Sequence, residues 1–205
     1  MAKDLTDYST VLSHFERVDK KVAVVLPTVN LSQWFEDRPT TDHFFNLTRN
    51  IIFQQLAGKA ASTIFSRFTE LVGEVNPESV LGHEDQSLRN VGLSWAKVKY
   101  VKDLATKVES GELDLGKIDL LSNEEVIAEL TKVKGIGRWT VEMFLLFTLH
   151  RENIFSYGDL GLKNGFAKLY EVDSPTIAQI KEVVTKWGPY ESYGSIVLWH
   201  YLDNR

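Results

Sequence analysis

Apolar side chains recur along most of the chain with the three- and four-residue spacing of amphipathic helices. Three helix starts carry capping signals: Asp42, Asn76 before Pro77, and Ser122 with Glu125 three residues later. Together these features predict helices over residues 44–56, 57–72, 95–110, 123–132, 138–149, 160–170, 174–187 and 192–202. The chain is therefore predicted to be all-α or mostly α.

Two segments interrupt this helical pattern. Residues 22–27 are short and β-branched, which is typical of a strand, and residues 30–39 are irregular and aromatic. Elsewhere glycine, proline and asparagine separate the predicted helices by short connections, and there is no internal repeat, low-complexity tract or linker. One hairpin of strands is the most that this pattern allows beside the helices.

The composition is that of a globular protein with a buried core: 43% of the 205 residues are hydrophobic, 25% charged and 11% aromatic. A formal net charge of -5 argues against a protein that coats nucleic acid non-specifically, so any DNA footprint must be local. The lack of cysteine excludes disulfides, thiolate zinc sites, cysteine nucleophiles and cysteine-ligated iron-sulfur clusters. The N-terminus is polar and no apolar run approaches the ~20 residues of a membrane span, so we expect a cytoplasmic or nuclear protein.

The segment 130–143, LTKVKGIGRWTVEM, places Gly135 and Gly137 around one apolar residue between two predicted helices. Glycine suits a tight turn whose backbone approaches another molecule closely. Free N–H groups at the start of the second helix would attract a phosphate oxygen, and Lys134 and Arg138 would add positive charge. A plain glycine-containing turn with solvated basic residues is the alternative.

This segment resembles the helix-hairpin-helix motif of DNA glycosylases, which grips the DNA backbone without reading bases. The residues that the resemblance places at the backbone are Gly135, Gly137, Arg138, Thr140 and Lys134. It also implies a monovalent cation such as Na⁺ or K⁺, bound by the main-chain carbonyls of Thr131, Val133 and Ile136. No other cofactor is expected.

A carboxylate follows the hairpin in the segment 154–163, IFSYGDLGLK. Taken alone, Asp159 is an N-cap of the next helix. The helix-hairpin-helix glycosylases carry an Asp here, so the resemblance implies that Asp159 is the catalytic carboxylate, which stabilises an oxocarbenium-like sugar. Their bifunctional members use a hairpin Lys to attack the sugar, and the matching residue is Trp139. Base excision by water without lyase activity is therefore expected, with Lys134 and Lys163 as poorly placed substitutes.

The segment 51–61, IIFQQLAGKAA, is similar to the family's Ile-Ile-x-Gln-Gln-x-x-x-x-Ala-Ala segment. The resemblance implies that Gln55 and Leu56 plug the gap left when a base is flipped out of the duplex. A helix boundary with a buried Leu is the alternative. Four further residues are candidates for phosphate contacts and are equally explained as caps or solvated surface: Gly58, Lys59, Ser94 and Lys97.

Alkylated bases that carry positive charge should bind between aromatic faces. Trp139 and Trp199 are the main candidates, and Trp199 ends a segment, 188–199, that resembles the family's Trp-x-Pro-Tyr-x-Ser-Tyr segment and its downstream pocket Trp. A core Trp that anchors the last helix is the alternative for Trp199. Met143 stands where bacterial members carry Tyr, which leaves part of the pocket wall apolar. Further candidates for the wall are Tyr157, Phe53 and Trp34.

The Gln-Gln segment, the hairpin with the following Gly-Asp-Leu-Gly, and the C-terminal Pro-Tyr-x-Ser-Tyr occur in the order expected for one family. Together they resemble the DNA-3-methyladenine glycosylase II family of the HhH-GPD superfamily, in a compact form without an N-terminal β-domain. This implies one unit over 1–205 with an active-site cleft between two helical lobes, roughly 1–40 with part of 115–205, and 41–114 with the hairpin. The implied activity is base excision repair of double-stranded DNA by a monomer that removes alkylated purines, chiefly 3-methyladenine, with 7-methylguanine as a further candidate. A non-catalytic DNA-binding module, and a glycosylase for uracil or other damaged bases, are the alternatives.

Overall fold

The computed structural model describes residues 6–34 and 42–203, and these form α-helices and two short 3-10 helices with no β-strand. The all-α prediction is confirmed. The α-helices are α1 Tyr8–Val18, α2 Lys20–Val25, α3 Leu31–Trp34, α4 His43–Phe53, α5 Gly58–Val72, α6 Pro77–Gly82, α7 Asp85–Asn90, α8 Trp95–Glu109, α9 Asn123–Leu130, α10 Arg138–Phe147, α11 Leu160–Tyr170, α12 Ile177–Val184 and α13 Glu191–Asp203. The 3-10 helices are Leu26–Thr28 and Leu115–Leu120.

The predicted capping residues begin the helices to which they were assigned. Asp42 accepts a hydrogen bond from the amide of Phe45, and Asn76 accepts one from the amide of Ser79. Ser122 and Glu125 form the reciprocal capping box at the start of α9. These local bonds satisfy amide groups that the helix itself leaves without acceptors.

The strand predicted for residues 22–27 is wrong. Asp19 caps the amides of Lys21 and Val22, and the β-branched run continues as α2 and the first 3-10 helix. The apolar side chains Val22 and Leu26 lie four residues apart and are fully buried, which helical spacing provides. Of the segment predicted to be irregular, 31–34 forms α3, and Phe35 with the following residues up to 41 lies outside the described part of the chain.

The chain divides into two compact units, Met1–Asp37 with Leu145–Arg205, and Arg38–Phe144. In the first unit, the buried core includes Phe15, Trp187 and Tyr193. In the second unit, it includes Phe68 and Phe144. Within residues 6–34 and 42–203, no helix has the length and apolar character needed to cross a membrane.

Candidate active site and nucleic-acid interface

The second unit contains the predicted hairpin between the end of α9 and the start of α10. Val133 and Ile136 are buried, and the amide of Ile136 donates to the carbonyl of Val133 at 3.1 Å. Gly135 has φ +79°, and a Cβ there would lie 2.1 Å from the Tyr100 ring. A Cβ on Gly137 would meet no atom within 4 Å. The first glycine is therefore required by the fold, whereas the second leaves its side of the turn open.

Acidic side chains accompany the basic residues of the hairpin. Lys134 Nζ lies 2.9 Å from Asp103 Oδ1, and its amide donates to the same carboxylate. Arg138 pairs with Glu124 and with Glu142, each at 2.9 Å. The hydrogen bond that Arg138 donates to Glu124 is the largest cause that raises the pKa of Arg138 above its ordinary value. The local positive field predicted from the sequence is thus partly compensated within the protein.

Three main-chain carbonyls of this turn were predicted to bind a monovalent cation. Carbonyl oxygens are ligands suited to a hard cation. The Val133 carbonyl accepts the Ile136 amide, and a carbonyl oxygen has a second lone pair that a cation could share. The donor set of Thr131, Val133 and Ile136 therefore fits such an ion by its chemistry, and the cation stays a prediction.

The predicted wedge residues lie on the turn between α4 and α5, which we call the wedge turn (residues 53–56). Helix α4 ends at Phe53, and Gln55 takes the left-handed conformation with φ +56°. Side chains other than glycine seldom adopt that conformation. Leu56 is 38% exposed, so it is not the buried residue of the alternative interpretation. Both wedge candidates therefore lie at the surface of the second unit.

Two residues that sequence reasoning missed as supports hold this turn. Gln54 Nε2 donates to the Gly135 carbonyl at 2.9 Å and to Thr140 Oγ1 at 3.3 Å. Lys97 Nζ donates to the carbonyls of Ile52 and Gln54, each at 2.7 Å. Burial lowers the pKa of Lys97. Lys97 is therefore not a solvated surface residue, because its ammonium caps the C-terminal end of α4.

A cavity of about 550 Å³ in the second unit lies between the wedge turn and the hairpin. Its lining residues are Asn50, Phe53, Gln54, Gln55, Leu56, Gly135, Trp139, Thr140 and Met143. Most of them were predicted from the sequence as wedge, pocket or backbone-contact residues, whereas Asn50 and Gln54 were not. The Trp139 side chain is 48% exposed, which leaves much of its indole accessible. The Arg49 guanidinium lies 4.1 Å from the centre of the Phe53 ring and covers one of its faces.

The first unit contains Asp159, whose side chain caps α11. Its Oδ1 atom accepts the amide of Leu162 at 2.8 Å and the indole N–H of Trp199 at 3.1 Å. The N-cap interpretation of Asp159 is therefore correct as a structural statement. It does not compete with a catalytic role, because both bonds fix the direction of the carboxylate.

Trp199 belongs to a cluster of three aromatic rings. The Trp34 ring lies parallel to it, with centroids 5.9 Å apart and an interplanar angle of 6°. Phe147 contacts both rings at centroid distances of 5.8 and 5.9 Å. Tyr157 instead lies beside Phe155, with ring centroids 4.9 Å apart. Burial is the main cause that raises the pKa of Tyr157. Stacking on two neighbours holds the Trp199 indole in the orientation that donates to the carboxylate.

The helical hairpin and the anchored carboxylate characterise a class of DNA repair proteins. The chain belongs to the HhH-GPD superfamily of base excision DNA repair proteins, whose sequence profile matches residues 48–189.

Its relatives include proteins named for one activity. The chain is 34% identical to DNA-3-methyladenine glycosylase 1 of Schizosaccharomyces pombe, over 75% of this chain and 69% of that protein. It is similar in structure to a DNA-3-methyladenine glycosidase from Bacillus halodurans, with a TM-score of 0.82, 31% identity, and coverage of 100% of this chain and 92% of that chain. It is also similar to the S. pombe 3-methyladenine DNA glycosylase in complex with abasic DNA, with a TM-score of 0.78, 30% identity, and coverage of 93% and 95%.

Proposed function

We propose that this protein is a monofunctional DNA glycosylase that hydrolyses the N-glycosidic bond of alkylated purines, chiefly 3-methyladenine and then 7-methylguanine. The observation that carries the proposal is the Asp159 carboxylate, fixed by the Leu162 amide and the Trp199 indole. A passive DNA-binding module would need this carboxylate only as the cap of α11, and not beside a sugar. The names of its relatives support the same activity.

In the proposed reaction the bond between the sugar C1′ atom and the base nitrogen breaks, and the bonding electrons leave with the base. The sugar becomes an oxocarbenium-like cation, which the Asp159 carboxylate stabilises and which water then attacks. The water oxygen bonds to C1′ and the water releases one proton to the solvent, so the products are the free neutral base and an abasic sugar. An alkylated purine already carries positive charge, and the enzyme therefore has no need to protonate its leaving group.

Recognition of the base would rely on aromatic faces rather than on base-specific hydrogen bonds. The exposed indole of Trp139 and the flexible Met143 border the cavity of the second unit. A cationic base is attracted to an indole face by about 0.5–2 kcal/mol, more strongly where water is excluded. Gln55 and Leu56 would fill the gap in the duplex after the base has left the stack.

The DNA backbone would bind at the hairpin through the open side of Gly137 and the first amides of α10, with the protein acting as a monomer. The proposed cation, when bound by the three carbonyls, would supply positive charge beside a phosphate. Trp139 cannot form a Schiff base with the sugar, which argues against strand cleavage and against the lyase members of the superfamily.

The decisive experiment measures release of free base from N-methylated duplex DNA by wild type, Asp159→Asn and Asp173→Asn. Asn keeps an oxygen for the Leu162 amide and caps helices as well as Asp does, so Asp159→Asn should fold normally. We expect release of 3-methyladenine by the wild type and by Asp173→Asn, which changes an exposed carboxylate of the same unit. Asp159→Asn should be at least about 100-fold slower, the typical size of a lost electrostatic stabiliser.

Strand breaks are scored before and after alkali, and duplexes with uracil or 8-oxoguanine are tested in parallel. Strands that stay intact until alkali treatment fit the monofunctional proposal. Equal base release by Asp159→Asn and wild type would remove Asp159 from the mechanism. Release of uracil or 8-oxoguanine alone would replace the proposed substrate class.

A further inference from the structure

The ammonium group of Lys97 reaches from the first turn of α8 to the C-terminal end of α4. It donates to the carbonyls of Ile52 and Gln54, each at 2.7 Å. The last carbonyls of a helix have no partners within it, and a cation near them also complements the helix dipole. Lys97 is half-buried, and desolvation lowers its pKa. Such an ammonium is held by the main chain rather than by solvent.

The residue that follows these contacts has an uncommon backbone conformation. Gln55 has φ +56°, a conformation that a residue with a Cβ seldom adopts and that usually persists because the surroundings impose it. The carbonyl of Gln54, directly before it, accepts the Lys97 bond, while the Gln54 amide group binds the Gly135 carbonyl. The peptide and the side chain before the left-handed residue are therefore both fixed from outside α4.

We propose that Lys97, assisted by Gln54, is a positioning residue that locks the wedge turn in the conformation from which Gln55 and Leu56 enter the duplex. The inference rests on the proposed function, because it concerns the insertion step of that reaction. Lys97 acts through the main chain of the turn and touches neither the base nor the sugar. The hydrogen bonds of Gln54 fix the position of the same turn against Gly135 and Thr140, which belong to the same unit.

A phosphate contact by Lys97 is the competing role. Two of its three ammonium donors are directed at carbonyls, and its burial opposes the solvated position typical of a phosphate contact. The two roles differ in their response to salt. Loss of a phosphate contact weakens binding to all sequences and lowers the salt slope by about one, whereas loss of a positioning residue leaves that slope unchanged.

The experiment compares Lys97→Met, Lys97→Arg and Gln54→Ala with the control Lys99→Met, which removes the same charge from an exposed residue of α8. Wedge insertion is read from the fluorescence of 2-aminopurine placed beside a tetrahydrofuran abasic analogue in duplex DNA. Single-turnover release of 3-methyladenine, the Kd for undamaged duplex at several salt concentrations, and thermal melting complete the set. The fluorescence assay requires no base release, so it separates this inference from the proposed function.

For Lys97→Met we expect a single-turnover rate about 10- to 100-fold lower and a diminished fluorescence increase, the size of effect that a misplaced group causes. Its Kd and salt slope should match those of Lys99→Met, and Lys97→Arg, which keeps the charge and two donors, should recover most of the rate. Gln54→Ala should show a weaker form of the same defect. If Lys97→Met does not fold, the inference is tested by Gln54→Ala and Lys97→Arg.

Unchanged fluorescence and base release in folded Lys97→Met, or in Gln54→Ala if the lysine variant does not fold, would overturn the inference. A defect confined to Kd, with a lower salt slope, would assign Lys97 to a phosphate instead. Wild-type protein that raises the fluorescence but releases no alkylated base would refute the proposed function and leave the positioning role intact. Wild-type protein without any fluorescence change would overturn the inference, because no wedge would then enter the duplex.

Discussion

The two glycines of the hairpin have different physical roles. Gly135 needs its left-handed φ, and its missing Cβ makes room for the Tyr100 ring of α8. Gly137 has neither a positive φ nor a close neighbour. The sequence pattern Gly-x-Gly shows both as equivalent, and only the structure separates a glycine needed for folding from one that leaves space for a partner.

We therefore predict that Gly135→Ala destabilises the protein by about 2–4 kcal/mol, from the backbone strain and the steric overlap with Tyr100 together. Urea denaturation measures this loss. Gly137→Ala is the matched control and should unfold at nearly the wild-type urea concentration. Equal stability of the two variants would contradict the assignment, and weaker DNA binding by folded Gly137→Ala would support a backbone contact at that glycine.

At the scale of single residues, the sequence predicted which side chains are candidates for function better than it predicted which groups they contact. Asp159 could be selected from its place before a helix and from its resemblance to a family motif. The contact by which Lys97 supports the wedge turn could not be predicted, because its ammonium donates to carbonyls 43 and 45 residues away in sequence. A Lys near a predicted helix start gives no sign of which distant main chain it will meet. The Gln54 contact with Gly135, 81 residues away, escaped for the same reason.

Among the elements, α2 depends on a single carboxylate that also connects two other parts of the first unit. Asp19 Oδ1 accepts the amides of Lys21 and Val22, while Oδ2 accepts the indole N–H of Trp187 at 2.8 Å and the hydroxyl of Tyr170. Burial, followed by this carboxylate, raises the pKa of Tyr170 far above its ordinary value. The side chain thus starts one helix and satisfies two donors from elsewhere in the unit.

We predict that Asp19→Ala lowers the free energy of unfolding by about 3–5 kcal/mol, because a buried donor without an acceptor costs ~1–3 kcal/mol and the helix cap is lost as well. Differential scanning calorimetry would measure the change. Asp7→Ala removes the exposed cap of α1 and should cost clearly less. A loss no larger than that of Asp7→Ala would mean that Trp187 and Tyr170 find other acceptors.

Element boundaries were predictable where local chemistry sets them. The cap of α11 and the capping box of α9 fall where the sequence placed them. Helix α12 was predicted three residues too early, although Thr176 and Gln179 form a capping box whose pattern is visible in the sequence. Helix α1 was missed although the sequence contains its signals, since Asp7 caps it and its buried residues Val11 and Phe15 lie four positions apart on one face. The strand prediction for residues 22–27 is wrong because packing in a helix overrode the preference of β-branched residues for strands.

At the scale of the whole molecule, a net charge of -5 must be reconciled with DNA as the proposed partner. The structure adds that the hairpin's own cations pair with carboxylates: Lys132 with Glu129, Lys134 with Asp103, and Arg138 with Glu124 and Glu142. Binding to a phosphate would require such pairs to open or to share their cation. The affinity for undamaged DNA should therefore be modest.

We predict that Glu124→Gln tightens binding to undamaged duplex by about two- to fivefold at low salt, since only Glu142 then competes with a phosphate for Arg138, and that salt screens the gain. Fluorescence anisotropy across a salt series measures it. Stability should change by no more than about 0.5 kcal/mol, because the pair is exposed.

Glu78→Gln is the matched control, since it removes the same charge from the exposed first turn of α6 in the same unit. If both variants gain affinity equally, the effect comes from the overall charge and not from the partner of Arg138.

The carboxylates beside the hairpin have a further consequence for a protein that must inspect long stretches of intact DNA. When such a protein leaves a phosphate, cations of the medium return to the DNA, and the protein's own cations lose the negative charge that they were bound to. Here the protein supplies its own anions within 3 Å of the hairpin cations. Departure from undamaged sites should then be fast, because a replacement partner is already in place for each of these cations.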